Sequence, residues 1–244
     1  PQLTATQEYL WEIYLRDMNR VFEIAGGDEV LLLDNGDIVQ GKTFKDNLVS
    51  TRMSDQIAIA VANFDPWCNR PNLHQIRMSK GTEVHNFGEG SAELIVASIL
   101  TNRYPKITTT VTQHGLLTYN GAVIDYAHKG PPPGSRTWLK GNQARFYLRD
   151  AMLRDILAHR RPPDIFLRAH VHYPIHEVLE VGEFTSHLFV VPPYCLMDEY
   201  AVSATQSLEE VYNGMLVLEV IDGEVTAYEK LYHALDIRTE ETIG

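Results

Sequence analysis

Histidine and carboxylate side chains follow the predicted strands of this sequence at several separate places. The segment "RAHVH" puts His170 and His172 one residue apart directly after the apolar run "DIFL", and His128 ends the run "GAVIDYAH". Carboxylates occur in the same position after the apolar segments of "VLLLDNGD" and "LHQIRMSKGTE". Carboxylates and imidazoles together suit Zn, Mn, Fe or Ni rather than Ca²⁺ or a cysteine-bound structural zinc. The predicted metal ligands are Asp37, Glu83, His128, His170 and His172.

Each of these residues also has an ordinary structural explanation. A single histidine often does no more than satisfy local hydrogen bonds, and an aspartate or glutamate at a strand end often caps a loop. Several such residues in chain order, each at the end of a predicted strand, favour a functional site over separate coincidences.

Composition indicates a folded protein of ordinary type. The 244 residues are 44% hydrophobic and 22% charged, which suffices for the core of one domain spanning 1–244. The formal net charge of −11 disfavours a non-specific grip on nucleic acid, which depends on Lys and Arg at the phosphates. Cys68 and Cys195 stand apart, so neither a disulfide framework nor a cysteine zinc site is predicted. No apolar run reaches the length of a membrane span and no signal-peptide pattern opens the chain, which predicts a cytoplasmic protein.

Helical and strand-like patterns alternate along the chain, which is typical of an α/β fold. Apolar residues recur at helical spacing from Ala5 to Ile24, and Gly26 with Gly27 predicts the end of that helix. Further helices are predicted over 47–63, 92–100 and 142–160. Strands are predicted in the segments 29–39, 73–88, 106–112, 121–128, 164–167, 175–181, 187–191, 214–220 and 224–232.

The predicted strands should form two packed sheets. The strands within 106–112 and 121–128 are expected to be neighbours, and the strand-rich later part of the chain is expected to form a second sheet on the first. In open α/β sheets, ligands bind beyond the carboxyl ends of the strands. The polar residues at those ends can therefore converge although they lie far apart in sequence.

The order of these motifs resembles the calcineurin-like metallophosphoesterase superfamily. "NGDIV" resembles the G-D motif of that family, "KGTEVHN" its G-N-H-[D/E] motif, "AH" at 127–128 its isolated histidine, and "RAHVH" its G-H-x-H motif. The "GTEVH" variant, with "VPPYCLMDEY" near the end, is most similar to phosphoesterases of phages and prophages. The resemblance covers about Leu31 to Tyr200, and a phage origin would place the protein in the host cytoplasm.

The resemblance implies a four-layered α-β-β-α sandwich that holds two divalent metal ions, with Mn, Fe, Zn or Ni as candidates. Asp37 would bridge the two metals, His128 and His170 would bind the first metal, and His172 would bind the second. In the family an asparagine ordinarily completes the first of these shells.

The asparagine of the family is missing from "KGTEVHN", so another side chain must take its place. Glu83 or Thr82 is expected to serve, and Glu83 is favoured because a carboxylate is the stronger ligand. His85 is the nearest candidate for the family's catalytic histidine, with His74 and Asn86 as weaker alternatives. Separately, alanine replaces the family's glycine at position 169, which matters only if the backbone there needs a positive φ.

The implied function is that of a metal-dependent phosphoesterase, and more specifically of a phosphodiesterase or nuclease acting on nucleotides or nucleic-acid ends. Two divalent ions lower the pKa of a bridging water and offset charge on the phosphate, so the resulting hydroxide attacks without a covalent intermediate. His85 would donate a proton or a hydrogen bond to the leaving alkoxide. Two other interpretations stay open: a non-catalytic binding or assembly module on the same scaffold, and a single-metal hydrolase with a different substrate.

A basic and aromatic segment beside His128 is a candidate for substrate contact. Lys129, Arg136 and Lys140 could reach a phosphate, although an ordinary solvated loop explains them equally well. The aromatic candidates for stacking on a base are Trp138, Tyr173 and Tyr194, each of which could instead belong to the core.

The D-x-H motif that opens the family's pattern does not occur in these residues. We expect a strand carrying it upstream of Pro1, because "PQLTATQEYL" already resembles the start of the first helix. Without that strand the first metal keeps Asp37, Glu83, His128 and His170, whereas the second keeps only Asp37 and His172. These residues alone should therefore hold about one metal tightly, and a longer chain that restores the strand about two.

Overall fold

The computed structural model describes residues 3–43, 48–87, 91–132, 134, 140–195, 210–236 and 238. The helices within this part are α1 (Ala5–Ala25), α2 (Met53–Cys68), α3 (Ala92–Arg103) and α4 (Asn142–Leu157), with a 3-10 turn at Glu83–His85. The strands are β1 (Val30–Asp34), β2 (Leu73–Ser79), β3 (Thr108–Thr112), β4 (His114–Tyr119), β5 (Ala122–Lys129), β6 (Ile165–Ala169), β7 (Ile175–Val181), β8 (Phe184–Val190), β9 (Glu210–Ile221) and β10 (Glu224–Asp236). The predicted α/β class is confirmed. Within the described part, no helix is both long and apolar enough to cross a lipid bilayer.

The helix boundaries follow from capping residues. Thr4 and Gln7 form a capping box at the start of α1, and Gly26, with φ of 57°, ends the helix where the sequence predicted. α2 begins at Met53, six residues later than position 47, which lies outside the described residues. It also continues beyond position 63, because Pro66 lies in its last turn and its missing N–H removes only one hydrogen bond there.

The first sheet is parallel and has the strand order β1-β2-β3. Its central strand places Ile76 and Met78 on one face, fully buried against the helices that connect the strands. The apolar faces of α1, α2 and α3 contribute to the same core. Because the strands are parallel, β1 and β2 end at the same edge of the sheet.

The second sheet is mixed, with the strand order β4-β5-β6-β8-β7. The prediction that the strands of 106–112 and 121–128 are neighbours is wrong. β4 was not predicted, and it pairs with β5 through a tight turn in which Asn120 and Gly121 have φ of 46° and 86°. β3 instead pairs with β2 in the first sheet. β5 and β6 are parallel, so both end at one edge.

The antiparallel hairpin of β9 and β10 contributes to the cores of both sheets. Side chains alternate between the two faces of a strand, and the hairpin uses both faces. Met215 and Val217 pack against the core of the first sheet, whereas Leu216 and Leu218 pack against Ile124 and its neighbours in the second. α4 covers the opposite face of the second sheet.

Two histidines of the second sheet lie beside the hairpin. The His176 ring stacks on Phe189 at 4.1 Å between ring centroids and contacts Tyr228 of β10 edge to face. Its Nε2 lies 3.2 Å from Nδ1 of His187. Burial, with smaller contributions from Lys230 and His187, lowers the pKa of His176 to about 4, and burial also lowers the pKa of His187.

The stability of this sheet should therefore depend on pH. The pKa of His176 falls from its ordinary value of 6.5 to about 4, so between these values the unfolded chain binds more protons than the folded chain. The neutral His176 ring therefore stabilises the folded state fully above the unfolded-state pKa of 6.5. This stabilisation is lost as the pH falls toward the folded-state pKa of about 4.

We expect His176→Phe, which keeps an aromatic ring on Phe189, to flatten the dependence of unfolding free energy on pH in this window. The change in slope should be at most about 1.4 kcal/mol per pH unit. Urea unfolding at several pH values measures it. His74→Gln, at a histidine whose side chain is 48% exposed, is the control, and an unchanged slope in His176→Phe would contradict the assignment.

Candidate metal centre

The carboxyl ends of four strands from the two sheets meet at one place. Asp37 lies just beyond β1 and Thr82 just beyond β2, in the first sheet. His128 is near the end of β5 and His170 directly follows β6, in the second sheet. The pairing of β5 with β6 shifts register between Tyr126 and Lys129, and such irregularities change the direction of a side chain next to a site.

Asp37, His128 and His170 form a group whose possible ligand atoms all lie within 4.8 Å of one another. His128 Nε2 is 2.9 Å from Asp37 Oδ2 and 3.1 Å from His170 Nδ1. His128 is buried, Asp37 is half-buried and His170 is exposed, so the group opens to solvent on the His170 side. The metal site predicted from the sequence therefore has a geometric counterpart in these three residues.

The hydrogen bonding of His128 fits a metal ligand. Its Nδ1 lies 2.6 Å from the backbone carbonyl of Asn35, which can only accept, so Nδ1 carries a proton and Nε2 points into the group. Nε2 then faces the Asp37 carboxylate, and this contact is favourable only with a proton or a cation between them. Burial opposes protonation of His128, but the hydrogen bond and the charge of Asp37 outweigh burial and raise the pKa of His128. When no cation is bound, a proton on Nε2 can therefore make the contact with Asp37 favourable.

The Asp37 carboxylate is held by the loop that follows β2. Thr82 donates its backbone N–H to Asp37 Oδ1 at 2.6 Å and its hydroxyl to the same oxygen at 3.1 Å. Burial opposes ionisation of Asp37, but the bonds and charges of His128, His85 and Thr82 together hold its pKa below the ordinary value. Asp37 thus presents an anionic oxygen to the group at neutral pH.

Two glycines allow the loops after β1 and β2 to touch. A Cβ on Gly36, whose φ is 90°, would stand 2.7 Å from the backbone nitrogen of Gly81. A Cβ on Gly81 would collide with Asp37 Oδ1 and with the Asp37 backbone nitrogen. The contact of the Asp37 carboxylate with Thr82 therefore requires glycine at both positions.

The structure places Thr82, and not Glu83, against Asp37. Glu83 begins the 3-10 turn that follows and is exposed, and it is outside the group formed by Asp37, His128 and His170. The carboxylate favoured from the sequence as the replacement for asparagine is not brought to the other ligands. The Thr82 hydroxyl lies 3.3 Å from Asp37 Oδ2, so Thr82 is the residue of this loop that contacts Asp37.

His172 lies beside the group without belonging to it. It is half-buried, and its Nδ1 is 3.7 Å from the sulfur of Cys195, a neighbour that the sequence did not indicate. Burial, followed by the charge of His170, lowers the pKa of His172, and partial burial with the charge of His128 lowers that of His170. Both imidazoles therefore favour the neutral form, which is the form that binds metals.

The backbone around the "RAHVH" motif takes positive φ at the histidines. His170 has φ of 74° and His172 has φ of 52°, whereas Ala169 ends β6 without a positive φ. The replacement of the family's glycine by Ala169 thus introduces no strain of this kind. The left-handed residues are the candidate ligands themselves.

His85 is in position to act beside the group. Its Nε2 is 3.9 Å from Asp37 Oδ2, and its Nδ1 is 3.1 Å from the backbone carbonyl of Gln40. A carbonyl can only accept, so Nδ1 carries a proton. The bond to Gln40 orients the ring so that Nε2 faces Asp37. The ring is about one-third exposed, so a substrate could reach it.

Two carboxylates, Glu93 and Asp34, lie near the group, and Glu93 was not predicted from the sequence. Glu93 has no exposed surface and accepts hydrogen bonds from the backbone of Asp37 and Gly81. Asp34 accepts the Gly36 N–H at 2.8 Å, and burial raises its pKa to about 7. Glu93 lies on a helix among ordinary charged residues, so no motif distinguishes it.

The other sequence candidates have four different placements. Lys140 lies over the Tyr173 ring at 4.2 Å, so this basic and aromatic pair is brought together. Tyr194 donates to buried Asp17 at 2.7 Å, which gives it a structural role.

The two weaker alternatives to His85 lie elsewhere. His74 is at the start of β2, opposite to the end that carries Thr82, and Asn86 caps α3 by accepting the Ala92 N–H. Arg136 and Trp138 lie outside the described residues.

Comparison with known proteins adds little to this geometry. No family model matches the chain, and no curated protein matches it. A solution NMR structure of a Thermotoga maritima protein is similar over 82% of this chain and 95% of its own, with 15% sequence identity and a TM-score of 0.35. A likeness this low supports no conclusion about fold or function.

We expect Gly81→Ala to weaken metal binding strongly while the protein remains folded. The three atoms nearest to the added Cβ all belong to Asp37, so the collision falls on the candidate site. Titration with Mn²⁺, monitored by the electron paramagnetic resonance signal of the free ion, measures the affinity. Gly27→Ala is the matched control, because its Cβ would meet no atom within 4 Å. Equal affinities in the two variants would show that the loop contact does not shape the site.

Proposed function

We propose that this protein is a metal-dependent phosphoesterase of the calcineurin-like type, with a phosphodiester as substrate. The observation that carries the proposal is the convergence of Asp37, His128 and His170 from three separate strand ends, with ligand atoms within 4.8 Å of one another. The same residues match the G-D, isolated histidine and H-x-H motifs in chain order. The order of the motifs in the sequence and the convergence of these residues in the structure both support the proposal.

The layering of the protein supports the four-layered sandwich that this family implies. α4 packs on one face of the second sheet, and the other face packs on the hairpin and on Leu33 of β1. α1, α2 and α3 pack with the first sheet in a separate core. The order from α4 through two sheets to the other helices supports the proposed α-β-β-α layering.

The donor set fits a divalent transition metal. Asp37, His128 and His170 would hold one ion with Thr82 beside them, and His172 with Asp37 would contribute to a second. When bound, such ions act as Lewis acids toward water and the phosphate oxygens. Mixed imidazole and carboxylate donors favour Mn, Fe, Zn or Ni over Ca²⁺.

The protein's own groups supply orientation and a proton. Thr82 and the Asn35 carbonyl fix the Asp37 carboxylate and the His128 ring before substrate arrives. Because Nδ1–H bonds to the Gln40 carbonyl, His85 acts as a donor only when Nε2 is protonated as well, and this imidazolium would protonate the leaving alkoxide or donate a hydrogen bond to the phosphoryl group. The exposed side of the group, at His170, is where a phosphate ester would enter.

A small or single-stranded phosphodiester is the substrate that the charge distribution favours. The net charge of −11 opposes tight binding of long duplexes, for which many cationic contacts are needed. Lys129 follows His128 and its charge acts on His170, so it is the cation at the site that would contact one phosphate. A nucleotide or a nucleic-acid end satisfies both conditions.

We expect Asp37→Asn to abolish hydrolysis of a chromogenic phosphodiester in Mn²⁺ buffer while the fold is retained. Asparagine tolerates the φ of 61° at this position and can still accept from Thr82, but it lacks the negative charge that a cation needs. Turnover and circular dichroism of the same sample check both parts. Asp28→Asn, at an exposed carboxylate before β1, is the matched control. Near wild-type turnover in Asp37→Asn would refute the proposed centre.

We expect His85→Ala to slow turnover by roughly 10²–10⁴-fold, the range for loss of a general acid, with metal content nearly unchanged. Metal analysis of the dialysed protein and initial rates on a diester and a monoester test this. His74→Ala, at the far end of β2, should leave both quantities unchanged. Loss of metal in His85→Ala would make His85 a ligand. Metal binding without turnover in the wild type would favour a binding module on the same scaffold.

A further inference from the structure

Glu93 is a carboxylate with no exposed surface at the beginning of α3. Transfer of a charged group from water to the interior is unfavourable unless hydrogen bonds and charges compensate for it. Its position in the first turn of α3 provides part of that compensation, because the amino end of a helix favours negative charge. The remaining compensation comes from hydrogen-bond donors, and these donors show which parts of the protein the Glu93 carboxylate holds in place.

Three donors converge on the Glu93 carboxylate, and two of them are backbone groups of the proposed metal site. Oε1 accepts the Asp37 N–H at 3.1 Å and the Gly81 N–H at 3.3 Å. Oε2 accepts the Ser91 hydroxyl at 2.5 Å. One buried oxygen therefore joins the loop after β1 to the loop after β2.

The two backbone groups are those whose position decides where the Asp37 carboxylate points. Asp37 has φ of 61°, a conformation that L-residues rarely adopt without local support. Gly81 is the residue over which the Asp37 side chain lies, with no room for a Cβ between them. Because one buried oxygen accepts both N–H groups, it stabilises the positive φ of Asp37 and also fixes the distance between the loops after β1 and β2.

A second bond joins the same turn of α3 to the same loop. Asn86 donates to the Thr82 carbonyl at 2.9 Å and accepts the Ala92 N–H at 2.9 Å. Thr82, which binds the Asp37 carboxylate, is thus tied to α3 as well. The loops after β1 and β2 are fixed to the helix at three backbone points.

We infer that Glu93 is a positioning residue of the proposed metal site, acting through the backbone of Asp37 and Gly81. This inference rests on the proposed function. Glu93 does not reach the metal or the substrate in this role. The Glu93 carboxylate sets the distance between the loops after β1 and β2. For the geometry of the site, the length of the Glu93 side chain is therefore more important than its charge.

Two substitutions separate length from charge. Glu93→Asp keeps the charge but shortens the side chain by one methylene, so one acceptor can no longer reach both N–H groups. Glu93→Gln keeps the length and an acceptor oxygen, and its amide can donate to the Ser91 hydroxyl. We expect the Mn²⁺ dissociation constant of Glu93→Asp to rise about 10–100-fold, as for the loss of other groups that orient metal ligands. Glu93→Gln should stay within about threefold of the wild type, since both N–H groups keep their acceptor.

Asp65→Ala is the matched control for a loss of stability. Asp65 accepts from Arg103 at 2.9 Å and from Tyr104 at 3.0 Å, at the other end of α3, far along the chain from Glu93. The variant should lower the urea midpoint of unfolding and leave Mn²⁺ affinity at the wild-type value, because a folded site does not respond to global stability alone.

Mn²⁺ binding, measured by calorimetry on each folded variant, decides between the outcomes. Wild-type affinity in Glu93→Asp, or equal weakening in Glu93→Gln and Glu93→Asp, would overturn the inference, the second because charge would then dominate. Weakening in Asp65→Ala equal to that in Glu93→Asp would also overturn it. A wild-type protein that binds no Mn²⁺ is a separate result, which refutes the proposed function itself.

Discussion

Asp37 and His128 meet at 2.9 Å across the gap between the two sheets, and neither sheet holds the candidate site alone. The first sheet contributes Asp37 and Thr82, and the second contributes His128 and His170. The distance between these pairs depends on how far apart the sheets pack. That distance is set by the apolar layer between them, where Leu33 and the hairpin of β9 and β10 contact the second sheet. The geometry of the site is therefore a property of the core as much as of the loops.

Much of the fold and part of the site could be predicted from the sequence. Helical spacing and glycine stops located α1, and aliphatic runs located β1, β2 and β6, because local patterns determine these elements. The convergence of His128 and His170 followed from the rule that parallel strands end at the same edge, whereas the approach of Asp37 to them depends on how the two sheets pack. β4 was missed because the short segment "HGLLTY" carries few of the β-branched residues that distinguish a strand.

Residue types alone could not decide whether Glu83 or Thr82 lies beside Asp37. Glu83 was favoured on ligand strength, which is a property of the side chain alone. In the structure the Thr82 N–H and hydroxyl contact the Asp37 carboxylate, whereas Glu83 begins a 3-10 turn and is exposed. Glu93 was missed for a related reason. Its burial and its bonds to Asp37 and Gly81 come from tertiary contacts, which leave no pattern in the sequence of α3.

Asp37, His170 and His172 all have φ between 52° and 74°, and this restricts which residues can replace them. Glycine and asparagine enter this region most easily, whereas branched aliphatic residues are strongly disfavoured there. A relative of this protein without the proposed metal chemistry would therefore accumulate glycine or asparagine at these three positions, not valine or isoleucine. The substitution pattern among distant relatives would then distinguish an inactive descendant from an active one with a different ligand set.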